Sequence, residues 1–282
     1  MISAYVIQIT TPKKFVLNGL WFGPKRPKRV IIWVHGLTSS AFSRIEIVEK
    51  LVDRDTAVLT FNNRGHNKIG KVLSLKGKSS YIGEAHEVFA ECVDDIQGAI
   101  FSARKQGVKE IYLAGHSTGC QKSIYWAYKN NGGKAVKGVI LLAPLSDYAD
   151  TAKFDKKNLL PRAITVARKL VRQGKSHELL PLSVWPRMHD AQRFLSLYTP
   201  DSIEQSIFSY FDDRPSRILR SVRVPLLVLL AQNDEYRDRP MKKIVPWFNH
   251  EAHRIEAHII PNVGHSFKGG EDRIAKAIQN WI

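Results

Sequence analysis

Apolar residues in this chain fall into short runs separated by longer stretches with helical spacing. The runs at 30–34 and 226–231 are continuous rather than alternating, which is typical of parallel strands covered on both faces. Between 84 and 106, apolar positions recur every three or four residues, which indicates a helix with one buried face. Strands that alternate with helices in this way predict an α/β fold with a mainly parallel sheet and helices on both faces.

The same pattern predicts the order of the elements. Strands are predicted at 4–9, 15–21, 30–34, 57–61, 111–114, 136–143, 226–231 and 257–260. Helices are predicted after 35–38 as far as about 53, at 84–106, after 117, at 241–253 and at the end of the chain. The first two strands are joined by Thr11-Pro12-Lys13-Lys14, and so short a connection predicts an antiparallel hairpin.

The alternation stops between 146 and 216, where helical patterns occur without a clear strand. Apolar residues from Leu160 to Val171 form one stripe, and further helices are predicted at 188–198 and 201–211. Ligands of open parallel sheets bind at the carboxyl ends of the strands, so we expect 146–216 to be a helical cap (lid) over that end. The α/β core then consists of 1–145 and 217–282.

The sequence Gly115-His116-Ser117-Thr118-Gly119 lies between a predicted strand and a predicted helix. This is the G-x-S-x-G nucleophile elbow, in which a serine occupies a sharp turn. Side chains two positions to either side would collide in such a turn, which is why both positions are glycine. The alternative is an ordinary tight turn with a solvent-exposed serine, so the pattern needs support from the rest of the chain.

A serine hydroxyl needs a base within hydrogen-bond reach and a carboxylate that orients this base. Asp234 follows the strand at 226–231, and His265 follows the strand at 257–260. Because carboxyl ends of parallel strands meet at one edge of the sheet, we expect both side chains beside Ser117. Ser117, Asp234 and His265 are therefore the predicted catalytic residues.

Stabilisation of an oxyanion needs two backbone donors aimed at the reacting oxygen. Thr118, the residue after the nucleophile, supplies one N–H group. The loop after the strand at 30–34 supplies the other, most plausibly at Leu37, which follows His35-Gly36. Leu37 and Thr118 are thus the predicted oxyanion hole.

Other residues compete for the roles of acid and base. Glu235 adjoins Asp234, while Asp147 and Asp150 follow an earlier strand and offer a variant position for the acid. Three further histidines lie on or beside the predicted helix and strand after 241, and we expect them to be structural: His250, His253 and His258. Their spacing lacks the neighbouring carboxylate pattern of a metal site.

Together these features resemble the α/β-hydrolase superfamily over essentially the whole chain. The matching segments are His35-Gly36-Leu37, Asn63-Arg64-Gly65-His66, the elbow, 225–234 and Gly264-His265, and they occur in the superfamily's order. The resemblance implies hydrolysis through an acyl-enzyme on Ser117. Within the superfamily, 115–121 and the helix around 92–96 resemble the serine esterase branch that includes fungal siderophore esterases.

Composition adds a large positive charge. The chain has 43 Lys and Arg residues against 26 Asp and Glu, a formal net charge of +17, yet no DNA- or RNA-binding motif accompanies it. The charge is dense in a loop without acids, which holds Arg64, Lys68, Lys71, Lys76 and Lys78, and at 153–175. A solvated basic surface that aids solubility is the favoured interpretation, and the competing hypothesis is that both regions favour an anionic substrate or an anionic membrane surface.

No apolar run approaches the length of a transmembrane segment, and the N-terminal residues lack the features of a signal peptide. The two cysteines, Cys92 and Cys120, form no motif, which favours buried free thiols in a reducing compartment. We therefore expect a cytoplasmic protein.

The sequence thus predicts a serine hydrolase that cleaves small-molecule carboxylic esters and needs no metal or organic cofactor. The same triad would also serve an acyltransferase or an amide or thioester hydrolase. An alternative of another class is a non-catalytic binding protein that retains the fold. The substrate and the oligomeric state stay open at this point.

Overall fold

The computed structural model describes residues 3–282; Met1 and Ile2, which the sequence assigns to the core, lie outside the described residues. The strands are β1 (Ala4–Thr10), β2 (Val16–Phe22), β3 (Arg29–Val34), β4 (Thr56–Phe61), β5 (Gly70–Leu73), β6 (Ser79–Ile82), β7 (Glu110–His116), β8 (Gly138–Leu142), β9 (Leu226–Ala231) and β10 (Ile255–Ile260). The helices are α1 (Ile45–Leu51), α2 (Cys92–Lys105), α3 (Thr118–Lys129), α4 (Asp147–Phe154), α5 (Leu159–Arg172), α6 (Ala191–Tyr198), α7 (Arg217–Arg220), α8 (Met241–Glu251) and α9 (Glu271–Trp281).

Eight strands form one sheet in the order β1-β2-β4-β3-β7-β8-β9-β10. From β4 to β10 every neighbouring pair is parallel, whereas β2 is antiparallel to both of its neighbours. Successive residues of β3 contribute alternately to two apolar clusters, so each face of the sheet carries its own core. The predicted α/β architecture, including the N-terminal hairpin, is confirmed.

The carboxyl ends of the parallel strands set the position of the site. Strands β3, β7, β8, β9 and β10 run in the same direction, so the residues that follow them converge on one edge of the sheet. His35-Gly36-Leu37, Ser117, Asp147, Asp234 and His265 all follow one of these strands within a few residues.

Three segments differ from the sequence prediction. The helix predicted at 84–106 starts as a short 3₁₀ turn at Phe89–Glu91 and continues as α2, whereas 84–88 forms turns. The side chains of Glu84 and Glu87 are buried in ion pairs, and these tertiary contacts override the helical spacing.

The loop expected at 64–78 contains β5, which pairs with β6 in a separate hairpin. Buried Val72 and Ile82 hold this hairpin against the core, although most of its other residues are exposed and gave no strand pattern. The helix predicted at 201–211 is instead two short 3₁₀ turns, Gln205–Phe208 and Tyr210–Asp212.

The segment between β8 and β9 carries α4–α7. Leu160, Ala163 and Ala167 of the predicted apolar stripe are buried in a third cluster with residues of α6. The stripe therefore packs within the protein. The division of the chain at 146 and 216 stays a prediction.

None of the helices within 3–282 combines the length and apolar composition that a membrane crossing requires.

A buried ion network joins this segment to the sheet layer. The carboxylate of Glu87 lies 2.5 Å from Nζ of Lys122 on α3 and 2.7 Å from the guanidinium of Arg193 on α6. Arg193 also contacts Glu204 at 2.5 Å, and Lys122, Arg193 and Glu204 are all fully buried. Burial alone would raise the pKa of Glu87, but the two cations outweigh burial and the net shift of its pKa is downward.

The basic loop prediction needs one correction, at Arg64. Its side chain is 3% exposed and pairs with Asp95 at 2.7 Å, with Asp94 at 3.0 Å and with Glu91 at 3.2 Å. These acids come from α2 and the turn before it, far along the chain, so the absence of acids near Arg64 in sequence was misleading. Arg64 therefore anchors its loop to α2 and adds no free positive charge to the surface.

Removal of the central carboxylate should destabilise the protein strongly. Glu87→Gln leaves two buried cations with one remaining carboxylate, and we expect the free energy of unfolding to fall by about 3 kcal/mol or more. Urea denaturation followed by tryptophan fluorescence measures the change. The control is Asp272→Asn, which removes an exposed partner of Lys50 and should leave the urea midpoint unchanged. Equal midpoints for Glu87→Gln and wild type would contradict the role of the network.

Candidate active site

Ser117 lies in a strained turn between β7 and α3. Its backbone angles are φ 56° and ψ −129°, a conformation that L-residues rarely adopt and that recurs at functional sites. A β-carbon at Gly115 would collide with the carbonyl of Gly119, and one at Gly119 would collide with the carbonyl of Val34. The elbow pattern thus has the steric basis expected from the sequence, and α3 begins directly after the serine.

The structure brings Asp234 and His265 together. Nδ1 of His265 lies 2.8 Å from Oδ2 of Asp234, and the carboxylate is fully buried while the imidazole is 13% exposed. A carboxylate only accepts, so Nδ1 of His265 carries the proton and Nε2 keeps its lone pair. Oδ1 of Asp234 accepts from the backbone N–H of Tyr236 at 3.0 Å. Asp234 therefore fixes both the orientation and the tautomer of His265.

The rivals for the acid role lie elsewhere. Glu235 accepts the backbone N–H of His265 at 2.9 Å, so it supports the loop rather than the ring. Asp147 and Asp150 line the cavity in front of Ser117 without a hydrogen bond to His265 among the described residues. The side chains of His250 and His258 contact the neighbouring acids Glu251 and Glu256 and are largely exposed.

Two aromatic side chains that the sequence did not single out contact His265, the predicted base. The ring of Tyr236 packs edge-on against the ring of His265, with centroids 4.9 Å apart. His116, the residue before the nucleophile, donates from Nε2 to the backbone carbonyl of His265 at 2.9 Å. Burial lowers the pKa of His116 to about 3, and the nearby His265 adds to this shift. His116 is therefore neutral at physiological pH and has a structural role. The position of His116 inside the elbow was the one sequence feature that could have indicated this contact.

The predicted oxyanion donors have free N–H groups. Within 3–282, neither the backbone N–H of Leu37 nor that of Thr118 donates a hydrogen bond to another protein group. The preceding His35 is buried, and its Nδ1 donates to the carbonyl of Gly36 at 2.9 Å while Nε2 accepts from the N–H of Asn63 at 3.3 Å. Burial, with Lys122 nearby, lowers the pKa of His35 to about 3. This neutral ring fixes the loop that presents Leu37.

A cavity of about 540 Å³ opens in front of Ser117, His265 and Leu37. A volume of this size is typical of small-molecule sites. No hydrogen bond joins Ser117 to His265 in the described part of the chain, a separation that is common in free enzymes. Charged side chains line the rest of the cavity: Arg44, Lys68, Glu84, Asp147, Asp150 and Arg187.

Two acids of the cavity have pKa values near neutrality. Burial raises the pKa of Asp147 to about 7, with Glu204 adding to the shift and Arg193 opposing it. Burial also raises the pKa of Asp150 to about 6, against the opposing charge of Arg187. Lys68 pairs with Glu84 at 2.9 Å, whereas Arg187 contacts the hydroxyl of Tyr198 at 3.3 Å and has no carboxylate within 4.0 Å among residues 3–282. No local sequence pattern predicted that Arg187 would line the cavity, because its position there depends on the packing of the segment around α6.

The arrangement is chemically complete for attack on an electrophilic carbon. It presents a strained serine, an imidazole with a free Nε2, a buried carboxylate on Nδ1 and two free N–H groups at one edge of the sheet. The structure brings the five predicted residues to one location, and their roles stay predictions: Ser117, Asp234, His265, Leu37 and Thr118.

Comparison with known proteins identifies both a family and a fold. The model of a family described as "Protein of unknown function (DUF1749)" matches residues 25–281. No curated protein matches the chain in sequence.

Solved structures align over nearly the whole chain. Est1E from Butyrivibrio proteoclasticus with ferulic acid bound is 19% identical with a TM-score of 0.66, and the alignment covers 98% of this chain and 97% of that one. DcsB in complex with its substrate analogue is 14% identical with a TM-score of 0.69, over 99% and 97%. The Pyrococcus furiosus esterase Pf2001 is 16% identical with a TM-score of 0.59, over 99% and 90%. These similarities confirm the predicted α/β-hydrolase fold.

Gly36 offers a test of the site's geometry. A β-carbon there would lie 2.8 Å from Cβ of Ser117 and 2.9 Å from the carbonyl of His116, so Gly36→Ala must displace the serine. We expect labelling of Ser117 by a fluorophosphonate probe to slow by about tenfold or more, measured by mass spectrometry over time. Gly70→Ala, which meets only ordinary contacts with Ile82, is the control and should label at the wild-type rate. Unchanged labelling of Gly36→Ala would show that the serine does not react in this geometry.

Proposed function

The chain belongs to DUF1749, a family described as proteins of unknown function, and we propose that it is a serine hydrolase that cleaves carboxylic esters through an acyl-enzyme on Ser117. The observation that carries the proposal is the strained Ser117 elbow beside an imidazole whose Nδ1 is bound to the buried Asp234. The esterase fold neighbours are consistent with it, although a fold alone hosts many functions.

In the first half of the reaction, Nε2 of His265 takes the hydroxyl proton of Ser117 while Oγ attacks the ester carbonyl. The carbonyl oxygen becomes negative and accepts hydrogen bonds from the N–H groups of Leu37 and Thr118. Asp234 stabilises the imidazolium that forms. The C–O bond to the alcohol then breaks, and His265 returns its proton to the departing oxygen, which leaves an acyl group on Ser117.

In the second half, water enters the polar cavity and loses a proton to Nε2 of His265 as it attacks the acyl carbon. Collapse of the second tetrahedral intermediate breaks the bond to Oγ of Ser117, which regains the proton from His265. The carboxylic acid leaves and the serine is restored. No step needs a metal or an organic cofactor.

We further propose that 146–216 serves as the cap of this site. Six residues from the segment line the cavity: Ser146, Asp147, Asp150, Thr151, Arg187 and Tyr198. Leu37 of the core also packs against the apolar cluster of α5 and α6. Substrate selection then depends on side chains of this segment, including any preference of the kind implied by the resemblance to siderophore esterases.

Substitutions in the triad test the mechanism. Ser117→Ala and Asp234→Asn should each lower kcat for 4-nitrophenyl butyrate by roughly 10⁴-fold, the first by loss of the nucleophile and the second by loss of the tautomer of His265. Asp147→Asn should lower it far less, because Asp147 makes no hydrogen bond to His265 in the described structure. Initial rates of 4-nitrophenol release measure all three.

Circular dichroism establishes that each variant is folded, and Ser80→Ala, an exposed serine, is the control for the serine substitution. A Ser117→Ala enzyme that retains wild-type turnover would refute the mechanism. A wild-type protein without turnover that fails to take up the fluorophosphonate probe would favour the binding-protein alternative. Transfer of the acyl group to an added alcohol in place of water would favour an acyltransferase.

We also propose that the site prefers esters with a negative charge. Arg187 brings a guanidinium to the cavity without a carboxylate partner within 4.0 Å in the described structure, and Arg44 also lines the cavity, with its Nε lacking a hydrogen-bond partner among the described residues. A substrate carboxylate would complete a charge-assisted hydrogen bond to such a group. None of the described cavity residues comes from 153–175, so the basic region noted there in the sequence is not the basis of this proposal.

The preference should depend on pH. As the pH falls from about 8 to about 6, Asp147 and Asp150 take up protons and lose their negative charge, since the pKa of Asp147 is raised to about 7 and that of Asp150 to about 6. Arg187 stays charged throughout. The ratio of kcat/KM for 4-butyryloxybenzoate to that for the neutral 4-butyryloxybenzamide should therefore rise as the pH falls. Because both esters use the same catalytic residues, effects of pH on the chemical step cancel in the ratio.

Two variants separate the contributions. Arg187→Gln should lower the ratio at every pH by roughly tenfold or more, with kcat/KM for the neutral ester unchanged. Asp147→Asn should raise the ratio at about pH 8 and flatten its pH dependence. A ratio that is the same in Arg187→Gln and wild type would rule out anion recognition at this residue while leaving the triad intact.

A further inference from the structure

Three metal-ligating side chains meet outside the catalytic cavity. Nδ1 of His86 lies 3.1 Å and Nδ1 of His177 lies 2.9 Å from the same oxygen, Oδ2 of Asp190. The three candidate ligand atoms lie within 4.8 Å of one another. His86 belongs to the turns at 84–88, and the other two residues lie between α5 and α6. More than 90 residues separate His86 from His177 along the chain, so no spacing pattern revealed the cluster.

The carboxylate of Asp190 is unusually placed for a group without a fixed cation. Asp190 is fully buried, and its Oδ1 accepts from the backbone N–H of Arg193 at 2.8 Å and from Nε2 of Gln192 at 3.0 Å. Across 3–282, no Lys or Arg side chain lies within 4.0 Å of it, and Oδ2 contacts only the two imidazoles. A buried carboxylate requires a positive partner or a metal ion, and here that position lies between two ring nitrogens.

The distances suit a tetrahedral transition metal. Zinc binds imidazole nitrogen at about 2.0–2.1 Å and carboxylate oxygen at about 2.0–2.2 Å, so neighbouring ligand atoms lie about 3.3–3.5 Å apart. The observed separations of 3.1 and 2.9 Å need to open only slightly, and the two imidazole nitrogens, which lie within 4.8 Å of each other, need to take up the same spacing. The side chain of His177 is 65% exposed, which leaves it free to rotate and leaves the fourth position open to water.

The surroundings would hold the ligands in place. The contacts from Arg193 N–H and Gln192 orient the carboxylate, as partners of metal ligands generally do. Tyr81 packs against the ring of His86 with centroids 5.8 Å apart. The backbone N–H of Asp190 also donates to the carbonyl of Ala85 at 2.8 Å, so the two segments that supply the ligands are already joined.

We propose that His86, His177 and Asp190 form a structural site for a divalent transition metal of the zinc class. Each imidazole coordinates through the lone pair of Nδ1 and carries its proton on Nε2, and any additional proton held beside Asp190 is released to solvent. The metal clamps the turns at 84–88 to the start of α6. Since Glu84 lines the catalytic cavity and Glu87 anchors the ion network, the clamp stabilises one wall of the site.

Calorimetric titration of the chelator-treated full-length protein with Zn²⁺ at about pH 7.5 tests the proposal. We expect saturable uptake of a single zinc ion, an increase in Tm that grows with zinc concentration, and visible absorption typical of tetrahedral coordination when Co²⁺ is used. His177→Ala, a change at an exposed side chain, should weaken zinc binding by about 100-fold or more and abolish the Tm increase.

His258→Ala is the matched control, because His258 is also an exposed histidine beside an acid, Glu256, and it should bind zinc as wild type does. Asp190→Asn provides a second ligand variant where it folds. Zinc binding of His177→Ala equal to that of wild type would overturn the proposal, as would the lack of saturable uptake by wild type, which would identify a hydrogen-bonded cluster only.

Discussion

The contact between Glu87 and two buried cations determines how the layers of this protein fit together. Lys122 belongs to α3, the helix that starts at Ser117, and Arg193 belongs to α6. Glu87 lies between them, so a single carboxylate connects the helix that follows Ser117 to the segment that lines the cavity. The same carboxylate explains Gly65, where a β-carbon would collide with Glu87. Asn63 completes the arrangement, because its side-chain oxygen accepts from Lys122 at 3.1 Å.

This network also shows where prediction from the sequence succeeds and fails. Asp234 and His265 were predictable as neighbours because each directly follows a buried strand, and parallel strands bring such residues to one edge. The helical spacing from 84 onward was misleading, since Glu84 and Glu87 are held by partners about 15 to 105 residues away along the chain. Arg64 looked like a surface charge for the same reason, as its acids lie on a different element. Local sequence patterns indicate strands and turns. Buried ion pairs depend on tertiary packing, which no short stretch of the sequence reveals.

Two neutral histidines also help to fix the geometry of the site. His35 and His116 are both buried, and burial lowers the pKa of each to about 3. A neutral imidazole has one donor and one acceptor, so it can join two backbone segments without introducing a charge beside Ser117. His35 joins the Leu37 loop to Asn63, and His116 joins the elbow to the carbonyl of His265. The loop that carries His265 is therefore tied directly to the strand that ends before Ser117.

The complete burial of Arg193 and Glu204 limits how a ligand reaches Ser117. A rigid swing of α5 and α6 away from the sheet would break the buried ion pair between Arg193 and Glu87 and pull the apolar cluster of these helices away from Leu37. Small movements at the rim carry no such penalty, and Tyr236, which is 46% exposed, lies there beside His265. Access to Ser117 then depends on the rotation of side chains such as Tyr236 and leaves the buried ion pairs in place.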